Sequence, residues 1–484
     1  MYLGIDIGTS SVKTIVMNER GEVVSEASSS LSVSRPSQLM SEQRPDSWWD
    51  AVNETVGALF EYTPEVQGIG LSGQMHGAVL LDQAEKPLRP AILWNDGRSS
   101  KECRELEAAI DVAQCTGNHA MPGFTAPKLL WVRKHEPDLF EATKTILLPK
   151  DYVRLKMTGE SATDMSDASG TLWLNVAKRS WHSDMLDSCE LTVDQMPALF
   201  EGSDVTGVLT SEIAASWGMK RVPVVGGAGD QAAGAVGAGA VTPGICTLSL
   251  GTSGVMFAPD FGYQPNPSGG IHTFCHALPN TWHEMAVMLS AAGSLTWVSQ
   301  ITKSDSEATL INDIEARQAS SDSVIFLPYL SGERTPHNNP LAKGVFSGLT
   351  ADTDRAELGY AVLEGVAFAL RDCYTELEKA GANVEQINVI GGGSQSHYWG
   401  QLIADALQRP LIYRQDAAVG PALGAARLAQ LGTEGATISD VCREAPIDFM
   451  VQPRPERSDK LESRYLEFRA LYADLKPHFG RNTG

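Results

Sequence analysis

Basic residues are scarce in this chain of 484 residues: 38 Lys and Arg stand against 59 Asp and Glu, a formal net charge of −21. Such a chain lacks the electrostatic footprint of a nucleic-acid binder, and anionic membranes repel it. Cysteine is sparse as well. Seven residues, an odd number with no C-x-x-C pair, supply neither a disulfide framework nor a zinc ribbon. No run of about 18 apolar residues occurs, so no helix is expected to span a bilayer. The opening MYLGIDIGTS carries Asp6 inside its apolar stretch and no basic segment before it, so it does not read as a signal peptide. No G-x-x-x-x-G-K-[ST] loop is present, so any nucleotide is held in another way. Asp260-Phe261-Gly262 spells one protein-kinase motif, but no H-R-D loop accompanies it. Gly68-x-Gly70-x-x-Gly73 matches a dinucleotide fingerprint, yet the apolar run 78–81 follows where a helix should begin. His272, Cys275 and His276 have no second cluster to complete a metal site and read as ordinary buried or loop residues. What remains is a soluble, acidic, multidomain protein expected in the cytoplasm, with 43% hydrophobic residues to fill its cores.

Residues 2–7, 12–17 and 22–27 read as three strands joined by tight turns, a meander. Residues 48–60 have helical periodicity with Asp46 placed to cap them, and 66–71 is a strand again. The pattern points to a mixed sheet with helices on its faces. It returns in the second half. Gly251-Thr252-Ser253 between strand-like segments echoes Gly8-Thr9-Ser10, 243 residues earlier. A weaker echo links 67–73 with 388–393, both apolar strands running into glycines. Two related α/β domains are therefore expected, 1–242 and 243–484. The Ala- and Gly-rich segment 226–244 lies between them, suited to close helix packing and a hinge.

A turn of glycine and two hydroxyls offers N–H and O–H donors to an anion. One copy is as readily a plain β-turn, but two copies suggest facing hairpins that hold nucleotide phosphates. Asp6 would then be repelled by the phosphates unless Mg²⁺ intervenes, directly or through water. Lys13 either compensates charge or is a solvated strand lysine. In Gly226-Gly227-Ala228-Gly229-Asp230-Gln231 a strand ends in glycines and delivers an acid to an Ala-rich helix. Asp230 is a helix cap or, given glycines that let something approach the backbone, a general base or substrate ligand. Gly391-Gly392-Gly393-Ser394, at a strand–helix junction, suits adenosine or phosphate binding or a sharp turn equally. Met75-His76 ends a strand-plus-glycine unit, where sheets often place ligands. Trp94-Asn95-Asp96-Gly97-Arg98 is either a sugar-binding mixture of ring and polar groups or an ion-paired loop. Gly420 to Ala426 reads as a tightly packed helix start.

Taken together, GIDIGTSSVK (4–13), GQMHGAVLLD (73–82), RPAILWNDGR (89–98), SLGTSGV (249–255), FLPYLSGERTPHNN (326–339) and GPALGAA (420–426) resemble the FGGY carbohydrate kinases, of the wider sugar kinase, Hsp70 and actin superfamily. Gly123-x-Thr125-x-x-Lys128-Leu129-x-Trp131 fits a family signature. The resemblance implies ribonuclease H-like α/β domains, with sugar on the first, adenosine mainly on the second, and an active site in the cleft. It implies transfer of phosphate from ATP to D-xylulose. Asp230 is then the proton acceptor, Asp6 lies near Mg·ATP, and Met75 and His76 belong to the sugar site with Trp94, Asp96, Arg98 and Gln231. Gly8, Thr9, Ser10, Lys13, Gly251, Thr252 and 391–394 face the nucleotide. A homodimer is compatible with it. One departure stands out: Gln231 is more typical of glycerol kinases, where many ketose kinases have Asn. A kinase for another ketose or polyol, such as ribulose or glycerol, is the rival reading. A non-catalytic ATP switch of the same fold is a further one, which has no need of a polyol pocket.

Overall fold

A computed structural model of the chain describes residues 1–317, 323–415 and 420–480, without the side chains of Ser394 and Gln395. Two seven-stranded mixed sheets organise it. In the first, Tyr2–Ile7 pairs antiparallel with Ser11–Met17 and parallel with Gly68–Gly73, and Val23–Ser30 and Pro223–Val225 extend the two sides. In the second, Gly244–Leu250 pairs antiparallel with Gly254–Asp260 and parallel with Val384–Ile390, with Trp282–Met288 and Leu411–Arg414 beyond. Both sequence echoes therefore fall on equivalent strands. Val23–Ser30, at the edge, alternates partly buried and exposed residues, whereas Gly68–Gly73, central and covered on both faces, is buried throughout.

Small residues decide how the halves join. Gly4 and Gly70 are register partners on neighbouring strands. Together they form a groove for the Gly420–Glu434 helix, which comes from the far end of the chain. A Cβ on Gly70 would stand 1.9 Å from the carbonyl oxygen of Ala425, and one on Gly4 2.0 Å from that of Ala422. The same helix packs on Asp230–Ala238, where a Cβ on Gly424 would meet the Ala233 carbonyl oxygen at 1.8 Å. The glycines that resemble a dinucleotide fingerprint thus serve helix-on-sheet contact. Gly70→Ala is expected to cost about 1–3 kcal/mol through overpacking. Gly57→Ala, helical and facing open space, is expected to gain about 0.5–1 kcal/mol. Urea midpoints of the two variants check this pair.

The first helix runs Pro45–Ala58, with Pro45 in its first turn and Arg44 at the N-cap position. Asp46 does not cap it. Its carboxylate accepts instead from the Tyr152 hydroxyl at 2.6 Å, because Pro45 already starts the helix one residue earlier. All seven cysteines are free. Among the described residues no helix is long and apolar enough to cross a membrane.

Candidate active site

A glycine N–H closes each hairpin, and the first loop is one residue longer than the second. Gly8 N–H donates to Ser11 O at 3.0 Å, and Gly251 N–H to Ser253 O at 3.0 Å. Each is then fixed by its own surroundings. Thr9 accepts from the Trp94 indole N–H at 3.0 Å and donates to Gln74 at 3.1 Å, and its carbonyl accepts from Gln43 at 2.7 Å. The Thr252 carbonyl accepts from Ala291 and Gly293, at the head of the Ala292–Ile301 helix. Ser10 and Thr252 are exposed, with room for a ligand. Lys13 is ion-paired with Glu26 at 2.8 Å, the solvated-strand alternative of its two readings.

Beside the second hairpin lies a cavity of about 650 Å³, lined by Ala292, Leu295, Thr296, Gly392, Gly393 and Tyr398 among others. That volume suits a nucleoside. Gly391 has φ +90° and turns the chain under Leu250, while a Cβ on Gly392 would meet nothing within 4 Å. Gly391 thus serves the turn, and Gly392 lines the cavity. The side chain of Ser394 lies outside the described residues.

Asp6 and Asp230 come from segments far apart in sequence, and the Gly68–Gly73 strand brings them near enough for the Asp6 charge to act on Asp230. Burial pushes the Asp230 carboxyl up to about 7, helped by the Asp6 charge and opposed by hydrogen bonds from Gln231. Burial likewise raises Asp6 to about 6, against the Ser72 hydroxyl, which donates to it at 3.0 Å, and the charge of Lys13, its partner on the neighbouring strand. Neither carboxylate has a cation as ion-pair partner among the described residues. Asp230 occupies the first turn of its helix, and the N-cap position is Gly229, so capping does not account for it.

The glycines before Asp230 correct one expectation. What approaches their backbone is protein, not substrate. A Cβ on Gly226 would meet Glu201 O at 2.3 Å, one on Gly227 would meet Leu71 O at 2.0 Å, and one on Gly229 would meet Met75 Cγ at 2.8 Å. They allow the strand to bend sharply and bring Met75 against the residue before Asp230.

His76 has φ 66°, the left-handed region, and is held there from several sides. Lys128 Nζ donates to its carbonyl at 2.7 Å, and the Thr125 hydroxyl does so at 3.2 Å. Its ring meets Phe124 edge-on at 4.8 Å. Nδ1 lies 2.8 Å from Gly170 O, so Nδ1 carries the hydrogen and Nε2 is left as an acceptor. Burial, then the Lys128 charge, hold the ring well below its ordinary pKa, so it is neutral. Thr125 and Lys128 belong to the signature text, but nothing in their spacing announced that they clamp a residue so far upstream.

Asp96 and Arg98 are corrected as sugar ligands. Asp96 Oδ1 accepts from Arg98 N–H at 3.0 Å and Nε at 2.9 Å, and Oδ2 accepts from Arg98 Nη2 at 2.7 Å and Ser41 N–H at 2.6 Å. Arg98 also pairs with Glu42 at 2.7 Å and lies over the Trp131 ring. Both side chains are buried and spent on each other, which fixes the loop whose Trp94 ring stays 37% exposed.

Residues 1–237 match the model of the FGGY family of carbohydrate kinases, N-terminal domain, and residues 246–432 match its C-terminal domain. This chain belongs to the FGGY family of carbohydrate kinases. It is 51% identical over 481 residues to a xylulose kinase of Escherichia coli K12, covering 99% of both chains. It is 50% identical to one of Klebsiella pneumoniae with the same coverage. Among solved structures, that of a xyloylose kinase from Brucella ovis superposes with a TM-score of 0.95 at 45% identity, covering 98% of this chain and 99% of that one. As a member of this family the chain is a carbohydrate kinase with ATP as phosphoryl donor, built on the two-domain α/β fold.

For an FGGY kinase, the raised Asp230 carboxyl has a consequence in pH. A base works only when ionised, so with Asp230 in that role kcat/KM should fall as pH drops through about 7, the value to which its carboxyl is raised. Rates across pH 5–9 at low substrate check this, with an acid limb near that of an ordinary carboxylate as the contrary result.

Proposed function

We propose that the chain phosphorylates D-xylulose, giving D-xylulose 5-phosphate and ADP. The observation that carries this reading is the Asp230 carboxyl, desolvated and without a cationic partner among the described residues, directly after Gly229, on which Met75 packs, and within reach of the Asp6 charge. Likeness to xylulose kinases over the whole chain supports the choice of sugar. In this reading Met75, His76 and the open Trp94 ring receive the sugar. His76 Nε2 accepts from a hydroxyl, and the ring lies against C–H faces. Asp230 takes the proton from the hydroxyl as its oxygen meets the γ-phosphorus. Gly8 to Ser10 and Gly251 to Thr252 hold the phosphates, and the adenosine occupies the cavity beside Gly392. The chain divides functionally at 242/243, and closing the halves excludes water and aligns the in-line transfer.

The donor set fits Mg²⁺. Two neighbouring carboxylates raised by burial, with no ion-paired cation among the described residues, are poised for one, and the described residues offer no group of three or more ligands for a metal. Mg²⁺ suits such a site, since it binds through one or two carboxylates, water and substrate phosphates. Asp6 would hold it, directly or through water, and it would offset phosphate charge.

Coupled ADP-release assays across ketoses, aldoses and polyols test the function. D-xylulose is expected to give the highest kcat/KM. A preference for glycerol or L-ribulose overturns the sugar assignment and points to the longer amide of Gln231. Absence of any sugar-dependent release would favour an ATP switch.

A further inference from the structure

Arg334 stands between two residues that are buried and fastened to the Trp282–Met288 strand and its end. Thr335 N–H donates to Val287 O at 3.0 Å, and its hydroxyl accepts from Val287 N–H at 3.0 Å and donates to Gly270 O at 2.8 Å. Glu333 accepts from Leu289 N–H at 2.9 Å and from Arg334 N–H at 2.8 Å. This pedestal fixes the backbone while the Arg334 side chain extends toward the first half of the chain. Its Nη2 comes within 3.7 Å of where a Cβ on Gly123 would stand, and its charge is felt at His76 and His272.

The guanidinium has no hydrogen bond or ion pair among the described residues. Other arginines near the cleft do: Arg98 pairs with Asp96 and Glu42, and Arg179 with Glu201. A guanidinium does not give up its proton, and this one is half-buried yet has no protein partner among the described residues. Burial indeed weakens its hold on the proton, with only Glu333 opposing. Its planar fork suits two adjacent oxygens. The chain of contacts from Asp230 to Arg334 sets its place. Met75 touches the residue before Asp230, His76 follows Met75 in sequence, and Phe124, which packs edge-on against His76, is preceded by Gly123 beside Arg334.

We propose that Arg334 is a sugar-binding residue whose guanidinium donates to the carbonyl and neighbouring hydroxyl at the end of the ketose farthest from the hydroxyl that receives phosphate. This rests on the sugar-kinase reading above. Because Arg334 belongs to the second half of the chain and Met75 and His76 to the first, the sugar itself ties the two halves together.

Arg334→Met and Arg334→Lys, assayed with D-xylulose and with 1-deoxy-D-xylulose, test the proposal. The Met variant is expected to raise the KM for D-xylulose by roughly 10- to 100-fold, the loss of a charge-assisted hydrogen-bond pair. The KM for ATP should move by less than about twofold. The Lys variant should recover only part of the loss, since it offers a point charge instead of a fork. Wild type should discriminate against the 1-deoxy sugar, and the Met variant should not. Unchanged sugar KM, retained discrimination, or a matching rise in ATP KM with a lowered thermal midpoint overturns the proposal. If wild type fails on D-xylulose but acts on another sugar, the substrate assignment falls. The same variants with that sugar and its analogue lacking the corresponding terminal hydroxyl then decide the role of Arg334.

Discussion

Asp230→Asn is expected to lower kcat by about 10²–10⁴-fold, the usual contribution of a general base, while ATP affinity stays close to that of the parent. Asn keeps the size and the hydrogen bonding of the carboxyl but cannot accept the proton as the sugar oxygen bonds to phosphorus. The same substitution has a signature in stability. Asp230 is raised from an ordinary 3.8 to about 7 in the folded chain, so folding is favoured by the protonated form. The sign follows: stability contributed by this group is full at acid pH and is lost as pH rises through about 7. The Asn variant should therefore lose activity and gain thermal midpoint relative to the parent at pH 8, with a smaller gain at pH 5. A helix cap would behave in the opposite way, since capping loss lowers stability by about 0.5–2 kcal/mol and spares the rate. Retained kcat with a lowered midpoint would remove Asp230 from the centre of the mechanism. Measuring sugar-dependent rate, ATP affinity and midpoint on one preparation separates the two.

The largest stability effect is expected at Lys150. Its ammonium is fully buried and contacts Asp151 at 2.6 Å, Asp164 at 2.7 Å and Asp167 at 3.1 Å. Burial alone would weaken the ammonium, but the three carboxylates outweigh it and hold the proton on more tightly than usual. Arg154, 3.3 Å from Asp151, is the second cation of the cluster. Lys150→Met leaves three buried acids with one cation and is expected to cost about 3–5 kcal/mol. The damage should reach the active site. Arg154 donates to Val225 O at 2.8 Å and Gly226 O at 2.5 Å, and the Ser166 hydroxyl accepts from Gly229 N–H at 3.1 Å. The cluster thus grips the bend that presents Asp230. Urea denaturation of Lys150→Met, with Lys150→Arg as a charge-preserving companion, is the measurement. A loss below about 1 kcal/mol for the Met variant would mean the acids are satisfied without Lys150.

Local text made much of this protein legible. The hairpins at Gly8 and Gly251, the strand bearing Asp6 and the strand–glycine–Asp230 unit are each written in consecutive residues, because turns and strands depend on neighbours in sequence. Their recurrence exposed the doubling of the sheet, and family text supplied the chemistry. Other features depend on residues that meet only through space. The groove of Gly4 and Gly70 has meaning only once the Gly420–Glu434 helix lies in it. Asp96 and Arg98 looked available to a sugar until Ser41 and Glu42 closed around them. Thr125 and Lys128 acquire their task from the strained backbone of His76, and Arg334 from the wall near Gly123. The sequence by itself determined the strands, the two glycine–hydroxyl turns and the family. The tertiary structure alone decided which glycines pack, which charges are spent on one another and which carboxyls are raised. Desolvation and Coulomb interaction act over distance in space, and residues distant in sequence supply both.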